Sequence, residues 1–192
     1  VIVSTDDKEI AGIAEQHGAE VPFLRPTSLA DDLVPTIEVT RHAIKWCILN
    51  QVEVEFICCI YATSALLTVE ILQESFAALS MRDDKDYAFP VCRYAHPIER
   101  SMRLRGDAGD TIKMSFPVSE MARSQDLEDS YFDAGQFYWG RPAAFLRDDK
   151  VLSSPKSLPI VIPGDTAVDI DTPEDWDFAQ RLYTFRRMTK SE

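Results

Sequence analysis

Two aspartates near the C-terminal end of the chain, Asp169 and Asp171, have the type and spacing of ligands for a divalent cation. Residues two apart on an extended segment point to the same side, so their carboxylates would converge. Mg²⁺ prefers oxygen ligands, so two carboxylates placed in this way would suit it. Helix initiation explains the residues that follow, 172–175, but not this pair. Solvated loop acids fit the spacing of the pair equally well.

Arg25 and Thr36 lie at the two ends of a polar loop and are candidates for binding an anion. A single arginine at the end of a strand suits phosphate or carboxylate because its guanidinium group donates two parallel hydrogen bonds. Thr36 opens a predicted helix, whose first amides are free to bind an anion. An ordinary connecting loop is the other interpretation, and these residues by themselves favour it.

Polar and aromatic side chains in two further stretches are candidates for contacting a ligand. Tyr61 and Thr63 follow the most apolar predicted strand and would face a ligand. In 133–140, glycines allow close approach of a backbone, Gln136 offers an amide to sugar hydroxyls, and Phe137 supplies an apolar wall. A core strand with bulky side chains explains the aromatic residues equally well, but leaves Gln136 unexplained.

Strands and helices alternate along most of the chain, which predicts an α/β fold with a mostly parallel sheet in three α/β/α layers. The strands are predicted at 1–5, 19–24, 56–61, 87–92, 111–116, 134–140 and 158–162, and the helices between Asp7 and Gly18, from Pro35 or Thr36 to Leu49, after Thr68, at 142–146 and at 173–187. Pro90 indicates an edge strand or a bulge. The loops beyond the carboxyl ends of such strands are where ligands bind.

The alternation stops over about 93–133, which we interpret as an inserted arm that serves function or a partner interface. The arm contains five arginines, a group that suits a sugar carboxylate, although solvated surface charge is the default interpretation: Arg93, Arg100, Arg103, Arg105 and Arg123.

The composition, 45% hydrophobic and 27% charged, is that of a globular protein. The net charge of −12 argues against binding to nucleic acid or to an anionic membrane, but permits a nucleotide held by a metal. The four cysteines form no CxxC pair, so we expect reduced core thiols and a cytoplasmic protein. No apolar run has membrane-spanning length and no leader is recognised.

Five stretches, taken in order, resemble the CMP-sialic acid synthetase family: 1–7, Arg-Pro-x-x-Leu-Ala-x-Asp at 25–32, Tyr-Ala-Thr at 61–63, Ser-Gln-Asp-Leu at 124–127 and Asp-x-Asp-Thr-x-x-Asp at 169–175. Within that family, 58–63 and 133–140 are most similar to the branch that activates pseudaminic acid. The resemblance implies a nucleotide-sugar-transferase (Rossmann-like) domain spanning 1–192. It also implies transfer of CMP from CTP to the anomeric hydroxyl of an acidic nine-carbon α-keto sugar, with release of pyrophosphate.

The resemblance also implies roles for single residues. Mg²⁺ would be held by Asp169 and Asp171, the nucleotide would be contacted by Arg25, Thr36 and Thr63, and the sugar pocket would be formed by Tyr61, Gln136, Phe137 and Arg123. The arm would exchange contacts across a homodimer, with Arg123 reaching the neighbouring site.

The chain departs from the family before Val1, where members have a further strand and a phosphate-binding loop of the type Arg-x-Gly-Ser-Lys. We therefore expect an N-terminally incomplete domain with little turnover by itself. Three alternatives stay open: a cytidylyltransferase for N-acylneuraminate, legionaminate or 3-deoxy-manno-octulosonate, a non-catalytic nucleotide-sugar-binding dimer, and a metal-dependent hydrolase.

Overall fold

The computed structural model describes residues 1–106, 109–147 and 150–189. The chain forms two compact units, the first comprising Val1–Cys59 and Gly140–Ser154, and the second comprising Ile60–Trp139 and Pro155–Glu192. The helices are α1 (Lys8–Gln16), α2 (Thr36–Leu49), α3 (Val69–Ser80), α4 (Pro142–Arg147) and α5 (Pro173–Thr189). The strands are β1 (Ile57–Ile60), β2 (Tyr87–Arg93), β3 (Met102–Arg105), β4 (Thr111–Met114), β5 (Tyr131–Asp133), β6 (Phe137–Gly140) and β7 (Ser157–Val161).

The first unit is built around α1, α2 and α4. Asp7 caps α1 by accepting hydrogen bonds from the amides of Glu9 and Ile10, and the helix lies between Asp7 and Gly18 as predicted. Helix α2 packs against α4, and the Nε atom of Arg41 donates to the carbonyl oxygen of Phe145 at 2.7 Å. The predicted strands at 1–5 and 19–24 are wrong as full strands, because only two isolated parallel bridges form there, Ile2 with Glu20 and Thr5 with Leu24.

The second unit has a sheet whose centre is β2. Strand β2 has β6 as a neighbour, pairs in parallel with β7 from Tyr87↔Ser157 to Val91↔Val161, and pairs antiparallel with β5 over its last three residues. Its first six residues are all buried, and α3 packs on it. Thr68 caps α3, as predicted.

Two predictions about the sheet need correction. Pro90 does not mark an edge, since β2 has neighbours on both sides and Pro90 is completely buried. It lies where the pairing partner of β2 changes from β7 to β5, and its carbonyl oxygen still accepts from the amide of Ala134 at 3.0 Å. The α/β fold is confirmed, but a mostly parallel sheet is not, because antiparallel pairs join β2 to β5 and β3 to β4.

The predicted arm folds partly as an antiparallel hairpin of β3 and β4, from Met102↔Met114 to Arg105↔Thr111. Residues 107–108 of the arm lie outside the described residues. The hairpin exposes apolar side chains of Met102, Leu104 and Ile112. Each helix of the described ranges is too short or too polar to cross a bilayer.

Candidate active site

The acidic segment before α5 is fixed by a reciprocal helix cap. Asp175 accepts hydrogen bonds from the amides of Asp171 and Thr172, and the Oγ1 atom of Thr172 accepts from the amide of Asp175 at 3.2 Å. The hydroxyl of Thr172 also donates to Asp175, and this bond is the first cause of the lowered pKa of Asp175. The cap therefore holds the backbone of Asp171 at the end of the segment.

In this segment the carboxyl group of Asp169 has a raised pKa. Burial raises its pKa first, and the negative charges of Asp171, Asp133 and Asp175 raise it further. A carboxylate among three like charges is stabilised by a cation, which is the arrangement expected near a metal-binding position.

The pair of Asp169 and Asp171 fits a magnesium ion only in part. Within the described residues, no group of three or more His, Cys, Asp or Glu side chains is arranged to hold a metal ion. Two carboxylates nevertheless suffice for Mg²⁺ when substrate phosphates and water complete its octahedron. The two carboxylates therefore fit Mg²⁺ as protein ligands, and the substrate must supply further ligands.

A tight turn lies directly beneath Asp169. Gly135 has φ +62°, and a Cβ atom there would meet the Asp169 carboxyl carbon at 3.4 Å. The amide of Gly135 donates to the Oδ1 atom of Asp133 at 3.1 Å, which closes the turn. The turn thus brings a third carboxylate, that of Asp133, towards the acidic pair.

Gln136 is a buried connector between two loops. Its side chain is 1% exposed, and its Nε2 atom donates to the carbonyl oxygen of Thr166 at 2.7 Å. Its own carbonyl oxygen accepts from the amide of Tyr61 at 2.9 Å and from the hydroxyl of Ser64 at 2.7 Å. Gln136 therefore ties the loop after β1 to the segment that leads to the acidic pair.

The aromatic side chains nearby divide into core and partly accessible groups. Phe137 is completely buried. The rings of Tyr61 and Tyr138 lie 5.6 Å apart, and both residues are partly exposed. The hydroxyl of Tyr138 donates to the Oδ2 atom of Asp133. Thr63 lies in the same loop as Tyr61, and its carbonyl oxygen accepts from the amide of Ala65 at 2.8 Å.

In the first unit, Arg25 has the features of an anion-binding residue. Its terminal nitrogen donates to Asp6 at 3.1 Å, but its Nε atom is buried and has no hydrogen-bond partner among the residues that the structure describes. A buried unsatisfied donor is costly, and an anionic or carbonyl ligand would satisfy it. Thr36 is the exposed first residue of α2.

Arg123 lies on the surface of the arm. Its guanidinium group pairs with Asp126 at 2.7 Å, and 72% of its side chain is exposed. In the described part of the second unit this guanidinium group pairs with a carboxylate of the arm itself, and the role of Arg123 in a sugar site stays a prediction.

Sequence reasoning gave no role to three residues: Asp133, whose charge acts on Asp169, Tyr138, which donates to Asp133, and Thr166, which accepts from Gln136. The turn at Asp133 could have been recognised, because an aspartate two residues before a glycine is typical of a turn closed by the aspartate side chain. Thr166 was not recognisable, because its part is played by a backbone carbonyl.

Comparison with known proteins identifies the family. A profile of the family described as Cytidylyltransferase matches residues 1–145. The chain belongs to the cytidylyltransferase family. Among its relatives, the pseudaminic acid cytidylyltransferase of Campylobacter jejuni is 34% identical, with 95% of this chain and 77% of the relative covered. N-acylneuraminate cytidylyltransferase A of Danio rerio is 28% identical, with 96% of this chain and 41% of the relative covered.

Two solved structures share the fold of this cytidylyltransferase. A CMP:2-keto-3-deoxy-manno-octonic acid synthetase complexed with CTP matches with a TM-score of 0.62 and 10% identity, covering 97% of this chain and 81% of the other. A 4-diphosphocytidyl-2C-methyl-D-erythritol synthase matches with a TM-score of 0.52 and 14% identity, covering 95% of this chain and 79% of the other. At these identities the likeness concerns the fold alone.

Proposed function

We propose that this cytidylyltransferase transfers CMP from CTP to the anomeric hydroxyl of pseudaminic acid and releases pyrophosphate. The observation that carries the proposal is the 34% identity to a pseudaminic acid cytidylyltransferase over 95% of the chain. The acidic pair before α5 supports it, because nucleotidyl transfer needs neutralised phosphate charge and in-line positioning more than covalent help.

Asp169 and Asp171 are proposed to hold Mg²⁺, which, when bound, would neutralise phosphate charge and help to deprotonate the sugar hydroxyl. The raised pKa of Asp169 supports this role, since burial and the negative charges of its neighbours both disfavour the ionised carboxylate and a bound cation would offset them. The cap formed by Thr172 and Asp175 would hold Asp171 in place while CMP is transferred and pyrophosphate leaves.

The nucleotide is proposed to contact Arg25, Thr36 and Thr63. The buried Nε atom of Arg25 supports this assignment because it offers a donor that no group in the described ranges uses. Thr36 supplies the first amide of α2, and the N-terminal end of a helix favours an anion.

The sugar pocket is proposed to include Tyr61, Gln136 and Phe137. The partly exposed ring of Tyr61 is suited to direct contact. The burial of Gln136 and Phe137 favours an indirect part, in which they support the loop that carries Tyr61.

We propose further that the protein is a cytoplasmic homodimer formed through the arm, with Arg123 reaching the partner's sugar site. The exposed apolar side chains of the hairpin support the interface, since an isolated two-stranded hairpin gains little stability by itself. Sedimentation analysis of Leu104→Glu tests it: a monomer supports the interface, and an unchanged dimer excludes this surface.

The function is tested by measuring pyrophosphate release from CTP, Mg²⁺ and pseudaminic acid, with the natural chain including any residues before Val1. We expect release that EDTA abolishes, and lower rates with N-acylneuraminate and legionaminate. Asp171→Asn should abolish release, whereas Asp177→Asn, an exposed aspartate on α5, should not. Dimerisation with no release from any α-keto acid sugar would instead favour a non-catalytic binding module.

A further inference from the structure

Asp133, at the end of β5, makes two hydrogen bonds that serve different purposes. Its Oδ1 atom accepts from the amide of Gly135 at 3.1 Å and shapes the turn beneath Asp169. Its Oδ2 atom accepts from the hydroxyl of Tyr138. The second bond is not part of the turn, so its effect is on the position of the Tyr138 side chain.

The ring of Tyr138 contacts two other aromatic rings, and its hydroxyl is hydrogen-bonded. It lies 5.6 Å from the ring of Tyr61 and 5.9 Å from that of Phe89, and its hydroxyl also interacts with that of Tyr61. Burial raises the pKa of Tyr138, so its hydroxyl remains a proton donor to Asp133 at every working pH.

A hydroxyl has one proton to donate. Because that of Tyr138 is used by Asp133, its oxygen can serve towards Tyr61 or a ligand only as an acceptor. The carboxylate thus determines both the direction of this ring and the hydrogen-bonding polarity of the Tyr61–Tyr138 pair.

We propose that Asp133 is a positioning residue for the sugar, which acts through Tyr138 to orient the Tyr61–Tyr138 pair towards the donor groups of a polyhydroxylated, acylaminated substrate. The inference rests on the proposed function for the identity of the sugar. It adds a residue that touches neither the sugar nor the nucleotide, and it predicts an effect on sugar affinity alone.

The test compares Asp133→Asn with Tyr138→Phe in the full natural chain. Asparagine retains an oxygen for the Gly135 amide but presents an amide group to Tyr138, which reverses the polarity of that bond. Isothermal titration with pseudaminic acid and, separately, with CTP should show sugar Kd raised about tenfold in both variants, and CTP Kd within about twofold. The double variant should be no weaker than either single variant, because both remove one interaction.

Two matched controls separate positioning from general damage. Asp129 precedes β5 and forms an exposed ion pair with Arg93, and Tyr131 is an exposed tyrosine of β5. The controls are Asp129→Asn and Tyr131→Phe. Both should bind the sugar as the wild type does.

The inference is overturned if Asp133→Asn leaves sugar Kd unchanged, if CTP Kd rises equally, if the double variant shows the product of the single effects, or if the wild type binds no sugar. Sugar binding with the expected variant pattern but without pyrophosphate release would support the inference and reject the proposed function.

Discussion

A Cβ atom placed on Gly135 would lie 3.4 Å from the carboxyl carbon of Asp169. The backbone of Gly135 also has φ +62°, a conformation that L-residues rarely adopt. A side chain at position 135 would therefore touch the Asp169 carboxyl group, and its backbone strain would act next to that group.

Gly135→Ala is expected to lower the free energy of unfolding by about 1 kcal/mol, because alanine is strained at positive φ. Relief of that strain would displace the turn against Asp169, so pyrophosphate release should fall at least about tenfold. Urea unfolding and a pyrophosphate assay measure the two effects. Gly18→Ala is the matched control, since Gly18 has φ +82° with nothing within 4 Å of its Cβ position. Equal activities of the two variants would contradict the coupling.

Asp169→Asn is expected to raise stability at pH 7 in metal-free buffer, although it should abolish activity. The folded-state pKa of Asp169 is raised, so its favourable contribution exists at low pH and is lost as the pH rises through that pKa. At pH 7 the ionised carboxylate costs stability, and the neutral amide removes that cost.

Asp175→Asn should show the opposite sign, which makes it the control. The pKa of Asp175 is lowered, so its contribution is present at pH 7 and is lost as the pH falls through the lowered pKa. Urea midpoints at pH 7 and at pH 4 distinguish the variants. A loss of stability in Asp169→Asn at pH 7 would show that hydrogen bonds of this carboxylate outweigh its repulsion.

The helices were predictable because residues at or next to their ends determine where they begin and end. Thr68 and Pro35 mark the starts of α3 and α2, and Gly18 follows the end of α1 with positive φ. The order of motifs likewise identified the family, which the profile match confirms. By contrast, β3 was missed because it has only four residues, Met-Arg-Leu-Arg, and an alternation this short within a charged segment is a weak signal.

The candidate site was only partly predictable, because sequence shows a residue's chemistry but not its depth. Gln136 was expected to meet a sugar, yet the structure buries its amide against Thr166. Asp133 lies five residues from Tyr138, but the importance of that pair depends on Asp169, which approaches from a distant part of the chain.

The four thiols are expected to react slowly with Ellman's reagent in the folded protein at pH 8. Burial raises the pKa of Cys47, Cys58, Cys59 and Cys92, so little thiolate is present, and all four are free. Rates at least about tenfold below those in guanidinium chloride are expected. Rapid reaction of one thiol in the native state would show that its segment opens, and cysteine-to-serine variants would identify which one.

Gln136→Leu is expected to reduce the free energy of unfolding by about 1 kcal/mol, because leucine fills a similar volume but leaves the Thr166 carbonyl oxygen without its donor. The loss is partly offset because the Oε1 atom of Gln136, a buried acceptor without a partner among the described residues, is removed as well. The loop after β1 should stay in place, since Tyr61 and Ser64 are bound by the backbone carbonyl of residue 136, which the substitution retains. Urea unfolding measures the loss, and Gln73→Leu on the exposed side of α3 provides the control. If Gln136 instead contacts the sugar directly, the variant should keep its stability and lose sugar affinity. A loss of stability with CTP affinity retained would establish Gln136 as a connector between the two loops.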